Sequence, residues 1–358
     1  MKFTKLFTLI AAAATMLVSC DGPDNGPVAT DDIKLSAESV VVVNTPINFV
    51  VEDINGTNVT ANAVIFDKTH DFSQVENPFT PTEDGEYTFY AVVGDAISND
   101  IKVVVTPTVP ALPEDNDAAN TSFKHHILLV DHTGTHCGYC PQMMKALKEV
   151  AETGNYHSKY HEAMAHTYNT SDPSYSKAAA AVTSYYGVTD YPTLNYNFAY
   201  PTSSSYNAEH IKSQIDALWK ENADAGIAAS TNMATKAVVV NAEVKAAVAG
   251  EYSITAWLLE DNIEGQQTNA TAEWMNIHNN SIRQVATSSP MTGYELGEIE
   301  AGKTASQILN LNIDSNNWNR DNMKVMLIVS KKGANNKYDV ANVVICPIND
   351  SVLYDYNN

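Results

Sequence analysis

Cys137 and Cys140 stand three residues apart in the stretch ILLVDHTGTHCGYC, residues 127–140, and Pro141 follows directly. Two thiols at that spacing can exchange disulfides, one attacking a substrate disulfide and the other resolving the mixed disulfide that forms. The same spacing serves half of a zinc site or a structural bridge, so the pair alone leaves three chemistries open. The neighbouring residues say how the pair is held. Residues 127–130 are an apolar run of strand length, Thr133, Gly134 and Thr135 read as a turn, and Met144, Leu147 and Val150 recur on one helical face after Pro141. A thiolate at the first turn of such a helix meets unpaired N–H groups and the positive end of the helix dipole, so its pKa falls. Cys137 is the expected attacking sulfur, and Cys140, the less exposed of the two, the resolving one. An imidazolium at His136 would further stabilise the Cys137 thiolate.

Tyr191, Pro192, Thr193 and Leu194 follow an amphipathic segment and Gly187–Val188, and they read as a strand opened by a proline. Together with the C-x-x-C this resembles the thioredoxin superfamily. There a cis-proline ahead of a strand sits against the C-x-x-C and leaves a backbone edge for substrate, and a buried aspartate six residues before the first cysteine takes and returns the resolving cysteine's proton. The resemblance implies Pro192 as that proline and Asp131 as the buried acid. It also implies a peptide-binding edge at Thr193, with Tyr191, His136 and Tyr139 beside it. The departures are His136 where tryptophan is usual, a bulky Tyr191 before the proline, and a Gly138–Tyr139 dipeptide that resembles periplasmic disulfide isomerases. Only residues 194–198 read as strand after Pro192, so the second edge strand is expected to be short or missing. Tyr185, Tyr186, Tyr191, Tyr196 and Tyr200 either wall a peptide groove or pack the core.

Residues 1–20 read as a processing segment, with Lys2 and Lys5 ahead of an apolar run over 6–18. Leu17, Val18, Ser19 and Cys20 resemble the lipobox of bacterial lipoprotein precursors, which implies lipidation at Cys20 and membrane attachment through that lipid. The run is too short to span a bilayer. An exported chain can keep disulfides, so a structural Cys137–Cys140 bridge stays open. Cys346, in an apolar run, is expected to be a small buried hydrophobe. The formal net charge of −21 argues against nucleic acid and against basic-patch adhesion to anionic lipid.

The chain as a whole reads as multidomain α+β. Residues 21–32 form an acidic tether. Residues 33–105, with β-branched runs at 40–43, 47–51, 59–66, 87–93 and 101–105, read as an immunoglobulin-like β-sandwich. Within it Glu83-Asp84-Gly85-Glu86-Tyr87 resembles the D-x-G-x-Y corner of such domains. Pro107, Pro110 and Pro113 mark a linker over 106–122. Residues 123–225 alternate strand and helix, with a strand expected over 161–168 and helices over 173–186 and 208–221, and form the thioredoxin-like α/β domain. Residues 226–358 return to β, with strands expected over 237–247, 252–259, 308–313, 323–330 and 340–345, and read as a C-terminal β-sandwich.

Ile277-His278-Asn279-Asn280-Ser281-Ile282-Arg283 is the one polar cluster there that looks specified. The lipobox, the β module, T-G-T-H-C-G-Y-C-P, Y-P-T and this H-N-N-x-I-R segment together resemble the outer membrane protein 28 family, over about two thirds of the chain. The match is firmest at 127–141 and 191–194. These are adhesin-like or receptor-like Gram-negative lipoproteins, and the resemblance implies an outer-membrane location, on the cell-surface or periplasmic face. His132 and His136 with the two cysteines make four plausible metal ligands, but the expected role of His136 is electrostatic, and no metal is assigned. His125, His126, His157 and His161 are expected at solvent-facing ends of elements. No glycine-rich phosphate loop, G-x-S-x-G or H-E-x-x-H occurs, and no cofactor is expected. Two functions remain, both with a protein or peptide partner: thiol-disulfide exchange at Cys137 and Cys140, or non-catalytic binding with the C-x-x-C as a structural disulfide.

Overall fold

The computed structural model describes residues 32–38, 40–198, 202–234, 236–287, 289–313 and 317–357. The signal-peptide and Cys20 lipidation readings, the tether up to residue 31, and Tyr200 lie outside these residues. The chain divides into two compact units, Met1–Thr108 and Val109–Asn358.

The first unit is all β: β1 (Ile33–Ser36), β2 (Val40–Val42), β3 (Val50–Asp53), β4 (Val64–Asp67), β5 (Ser73–Val75), β6 (Gly85–Val93), β7 (Ala96–Ile97) and β8 (Ile101–Thr106). β1 pairs with β3, and the others form a sheet in the order β2-β8-β6-β4-β5 with β7 on β6. Alternation drives the packing. Ile33, Leu35 and Val51 from the small sheet meet Phe89, Val103 and Val105 from the large one in a single core. Tyr87 Oη donates to the Glu83 carbonyl at 2.9 Å, the backward bond that the D-x-G-x-Y pattern calls for.

The second unit opens with β9 (Phe123–Lys124), β10 (Ile127–Thr133), α1 (Cys140–Glu152), β11 (Tyr160–His166), α2 (Lys177–Tyr186), β12 (Thr193–Tyr196), β13 (Thr202–Ser203) and α3 (Ala208–Leu218). It continues with β14 (Asn222–Ala223), β15 (Ala225–Met233), β16 (Ala237–Ala246), β17 (Gly250–Glu260), β18 (Ile263–Glu264), β19 (Ile277–His278), β20 (Ser281–Val285), β21 (Tyr294–Ile299), β22 (Thr304–Asn312), β23 (Met323–Lys332), β24 (Tyr338–Pro347) and β25 (Ser351–Val352). One sheet runs β13-β12-β10-β11-β20-β17-β23-β24, with β21 on β17, and a second runs β22-β16-β15-β25.

β10 lies parallel to β11 and antiparallel to β12. All seven of its residues are buried, because helices cover both of its faces. Ile127 and Leu129 pack under Met143, Leu147 and Val150 of α1 and Ile211 and Ile215 of α3. Leu128 and Val130 face the other way, toward Val182 and Tyr186 of α2. Ser176 caps α2 by accepting from Ala179 N, and Gly187 ends it in the left-handed region at φ 66°. The cap explains why this helix starts four residues later than the sequence pattern suggests.

The boundary expected between residues 225 and 226 is not present in this unit. Met164 of β11 stands opposite Ser281 of β20, and Met164 N donates to the Asn280 carbonyl at 2.8 Å, so the β-rich C-terminal half continues the same sheet. The core above α2 is shared accordingly, with Trp257, Leu259, Ile282, Met326 and Ile328 joining Val130 and Ala165. The 106–122 linker is also shorter than expected. Asp115 pairs with buried Lys245 at 2.9 Å and Asn241 donates to the Pro110 carbonyl, which docks this segment on β16.

Candidate active site

Cys137 and Cys140 are joined in a disulfide with their Cα atoms 5.4 Å apart. Cys140 is the first residue of α1, Pro141 follows at a position where the missing N–H costs nothing, and Cys140 N donates to Cys137 Sγ at 3.1 Å. Both sulfurs are therefore at the helix N-terminus, as expected. The expected difference in exposure is absent: Cys137 is 1% exposed and Cys140 0%. Residues packed over the turn 134–138 bury the outer cysteine as completely as the inner one.

Asp131 lies on the same face of β10 as Leu129, beneath α1, and is fully buried with neither carboxylate oxygen hydrogen-bonded. Burial, and secondly the charge of Glu162, push its pKa well above the ordinary carboxylate value. Glu162 sits one strand away, opposite Leu129, and burial lifts it to about 7, with Lys324 pulling it back down. Two acids, both with raised pKa, thus lie below the disulfide-bearing helix.

The Tyr191–Pro192 peptide is cis. Thr193 stands opposite His132, so Pro192 lies at the end of the sheet from which the 134–140 turn departs. On one side the Thr193 backbone is in the ladder beside β10, and on the other β13 is registered against Leu194 and Asn195; the Thr193 hydroxyl donates to the Asp190 carbonyl at 2.7 Å. β13 is only two residues long, in line with the short edge strand expected. Tyr191 is half-buried, and its hydroxyl begins a hydrogen-bonded chain through Thr167 (2.9 Å) and Thr183 (3.0 Å) to His132 Nδ1 (2.9 Å).

His136 is exposed and bonds to the Thr135 hydroxyl at 3.2 Å; Tyr139 is 64% exposed at the helix entrance. His132 points to the α2 face, where burial lowers it to about 4, so the His132, His136 and cysteine ligand set considered for a metal is not assembled. Among the described residues no cluster of three or more metal-ligating side chains occurs. His125 is buried instead of solvent-facing, with its Nδ1 accepting from Lys220 N. Cys346 is buried and free, and burial lifts its thiol to about 11.

Two further groups hold the turn, and sequence reasoning missed both. Asp172 accepts from Thr135 N (2.6 Å), the Thr135 hydroxyl (3.1 Å), His166 Nδ1 (3.1 Å) and Ser174 N (2.8 Å). Burial alone would raise Asp172, but the bond from His166 and the two amides hold it well below the carboxylate range. From the other side comes the segment between β18 and β19, whose Gln267 Nε2 donates to the Gly134 and Cys137 carbonyls. The H-N-N-x-I-R cluster anchors that segment. His278 Nε2 bonds to the Gly265 carbonyl at 2.9 Å, and Arg283 pairs with buried Glu260 at 2.7 Å while donating to the Pro173 carbonyl. The cluster was a visible signal; its target, the C-x-x-C turn, was not.

Residues 179–351 match the family model described as Outer membrane protein Omp28. The match contains the Tyr191–Leu194 motif and the H-N-N-x-I-R cluster and begins after the C-x-x-C, so it covers less of the chain than the two thirds expected. No curated protein sequence is matched. Among solved structures, HBP35 of Porphyromonas gingivalis is similar at 16% identity and a TM-score of 0.53, over 64% of this chain and 77% of that one. A protein from Corynebacterium diphtheriae aligns at 10% identity and a TM-score of 0.21, over 95% of this chain and 62% of that one, a likeness too slight to carry an argument. The first likeness speaks for a multidomain β-rich fold.

Proposed function

We propose that the chain is an outer-membrane protein of the Omp28 family, lipidated at Cys20, in which a thioredoxin-like region over 123–225 exchanges disulfides with protein partners. Cys137 Sγ, as thiolate, attacks a partner disulfide and releases one partner thiol. The Cys140 thiol then attacks the mixed disulfide, its proton passing to Asp131 and on to the second departing partner sulfur. The partner disulfide ends as two thiols and the Cys137–Cys140 dithiol as a disulfide, so electrons and protons balance. The reverse sequence oxidises a partner.

The observation that carries this reading is Asp131, a buried carboxyl without a hydrogen-bond partner and with a raised pKa, under the helix that begins at Cys140. A structural disulfide has no use for such a group, whereas a thiol that must lose its proton in a dry interior does. The cis Tyr191–Pro192 peptide at the same end of the sheet supports the thioredoxin-like reading. The test is Cys140→Ala in cells, which should accumulate envelope proteins linked through Cys137 and lose them when Cys137→Ser is added. If no adduct forms, exchange is refuted.

The burial of both cysteines favours a second reading, a receptor-like or adhesin-like surface lipoprotein in which the disulfide staples the turn. Partner capture that survives Cys137→Ser would select it. Under either reading the 33–105 unit serves as an immunoglobulin-like spacer or binding module.

A further inference from the structure

Residues 265–276 connect β18 to β19, which pair with each other as a two-stranded ribbon, and cross the turn that carries the disulfide. Thr268 N donates to the Thr135 carbonyl at 2.7 Å, Gln267 Nε2 to the Gly134 carbonyl at 3.3 Å and the Cys137 carbonyl at 3.0 Å, and Asn269 Nδ2 to the Gly138 carbonyl at 3.1 Å. Four carbonyls of a five-residue turn are thereby taken by one segment. The crossing is a single layer thick: Gln267 is 3% exposed, while Gln266, Thr268 and Asn269 on either side are open to solvent. Its ends are pinned to each other at the β18–β19 ribbon, with Gly265 N donating to the Asn276 carbonyl, Gln267 N to Asn276 Oδ1, and His278 meeting the Gly265 carbonyl. Beyond the crossing, Trp274 lies over Lys148 Nζ of α1 at 5.5 Å. The fit is close, since a Cβ on Gly138 would stand 3.0 Å from Asn269 Nδ2 and one on Gly265 3.0 Å from Thr135 Cγ2.

We infer that residues 265–276 are an intramolecular strap across the approach to Cys137, and that a partner reaches the disulfide by displacing it. This rests on the exchange reading and adds to it a regulation and a substrate class. The donors that the strap spends on the turn are a backbone N–H and side-chain amides along a peptide segment, which are the groups another extended polypeptide can offer in its place. The strap is held mainly by polar contacts, with Met275 its only other fully buried side chain, so it opens without unfolding the sheet beneath.

The test uses the native oxidised protein and tris(2-carboxyethyl)phosphine, which reduces the disulfide without needing any protein substrate. Reduction is read by intact mass after quenching with a maleimide. Gln267→Ala removes both amide bonds to the turn and should raise the rate about tenfold, the equivalent of roughly one to two hydrogen bonds, with a smaller rise for Asn269→Ala. Deuterium exchange over 266–276 should rise in the same variants while β10 and β11 stay protected. Should Gln267→Ala fold poorly, the exposed Asn269 variant decides. Unchanged reduction rates in a variant whose strap exchanges faster would overturn the strap and leave exchange chemistry standing. Faster reduction with no trapped partner in cells would leave the strap standing and sink the exchange reading.

Discussion

Gln267 Nε2 donates to the carbonyl of Cys137 at 3.0 Å across 130 residues of sequence. The bond ties the β-rich C-terminal half to the disulfide-bearing turn, and the continuous sheet through β11 and β20 does the same for the backbone. The disulfide turn and the β-rich half of this unit belong to one core.

That unity has a direct consequence for excision. A fragment of residues 123–225 would expose the β11 edge and lose Trp257, Leu259, Ile282, Met326 and Ile328 from the core over α2. It is expected not to fold, while residues 109–358 should give one cooperative transition in urea followed by circular dichroism and tryptophan fluorescence. A folded, soluble 123–225 fragment would contradict the shared-sheet account.

Arg283 and Glu260 are a buried pair, with Arg283 also donating to the Pro173 carbonyl behind the turn. Arg283→Ala leaves Glu260 charged and without its cation, and should cost about 3–5 kcal/mol in the urea midpoint analysis. Arg283→Ala together with Glu260→Ala should cost less than the sum of the two single changes. Simple additivity would mean that the two side chains act independently.

Asp131 and Glu162, both with raised pKa, make stability fall as pH rises. A carboxyl with a raised folded pKa keeps its proton in the folded state at a pH where the unfolded chain has lost it, so its contribution to stability falls as pH rises between the two values. For Glu162 the window runs from its ordinary 4.5 to about 7. Asp131 acts in the same direction, beginning near its ordinary 3.8. Asp131→Asn and Glu162→Gln should each flatten the decline, on the order of 1.4 kcal/mol for each pKa unit of offset removed. Parallel pH profiles of wild type and Asp131→Asn would show that this carboxyl is not perturbed.

Gly134 sits where an added Cβ would stand 2.6 Å from Tyr168 Cβ and 3.3 Å from Asp172 Oδ2. Gly134→Ala should therefore shift the Asp172 loop and destabilise the second unit by about 1–3 kcal/mol. Thermal denaturation compared with wild type checks it, and an unchanged midpoint would mean that the turn has slack.

The sequence carried the site's first layer well and its second layer poorly. The strand before Cys137, the helix from Cys140 and the short strand after Pro192 were legible because each rests on local pattern: an apolar run, a 3.6-residue period, a proline. β15, residues 225–233, was missed because AGIAASTNM has little β-branched content, and its place is set by pairing with β16 along nine registered positions. β20 reads from sequence as a polar cluster because Ser281 and Arg283 mask its strand character; both are buried in the fold, Arg283 against Glu260. The burial of Cys137 is invisible in its local sequence for the same reason. A helix N-terminus announces itself in neighbouring residues, but the strap that covers it comes from 130 residues further on.

The most direct test of the central claim is the reduction potential of the Cys137–Cys140 pair in lipid-free protein, measured by thiol trapping across dithiothreitol and glutathione buffers, with equilibration long enough for the strap to open. Exchange predicts a value above about −300 mV, within the roughly −270 to −120 mV span of thioredoxin-type exchangers. A value clearly below about −300 mV would contradict exchange and mark the pair as a structural staple.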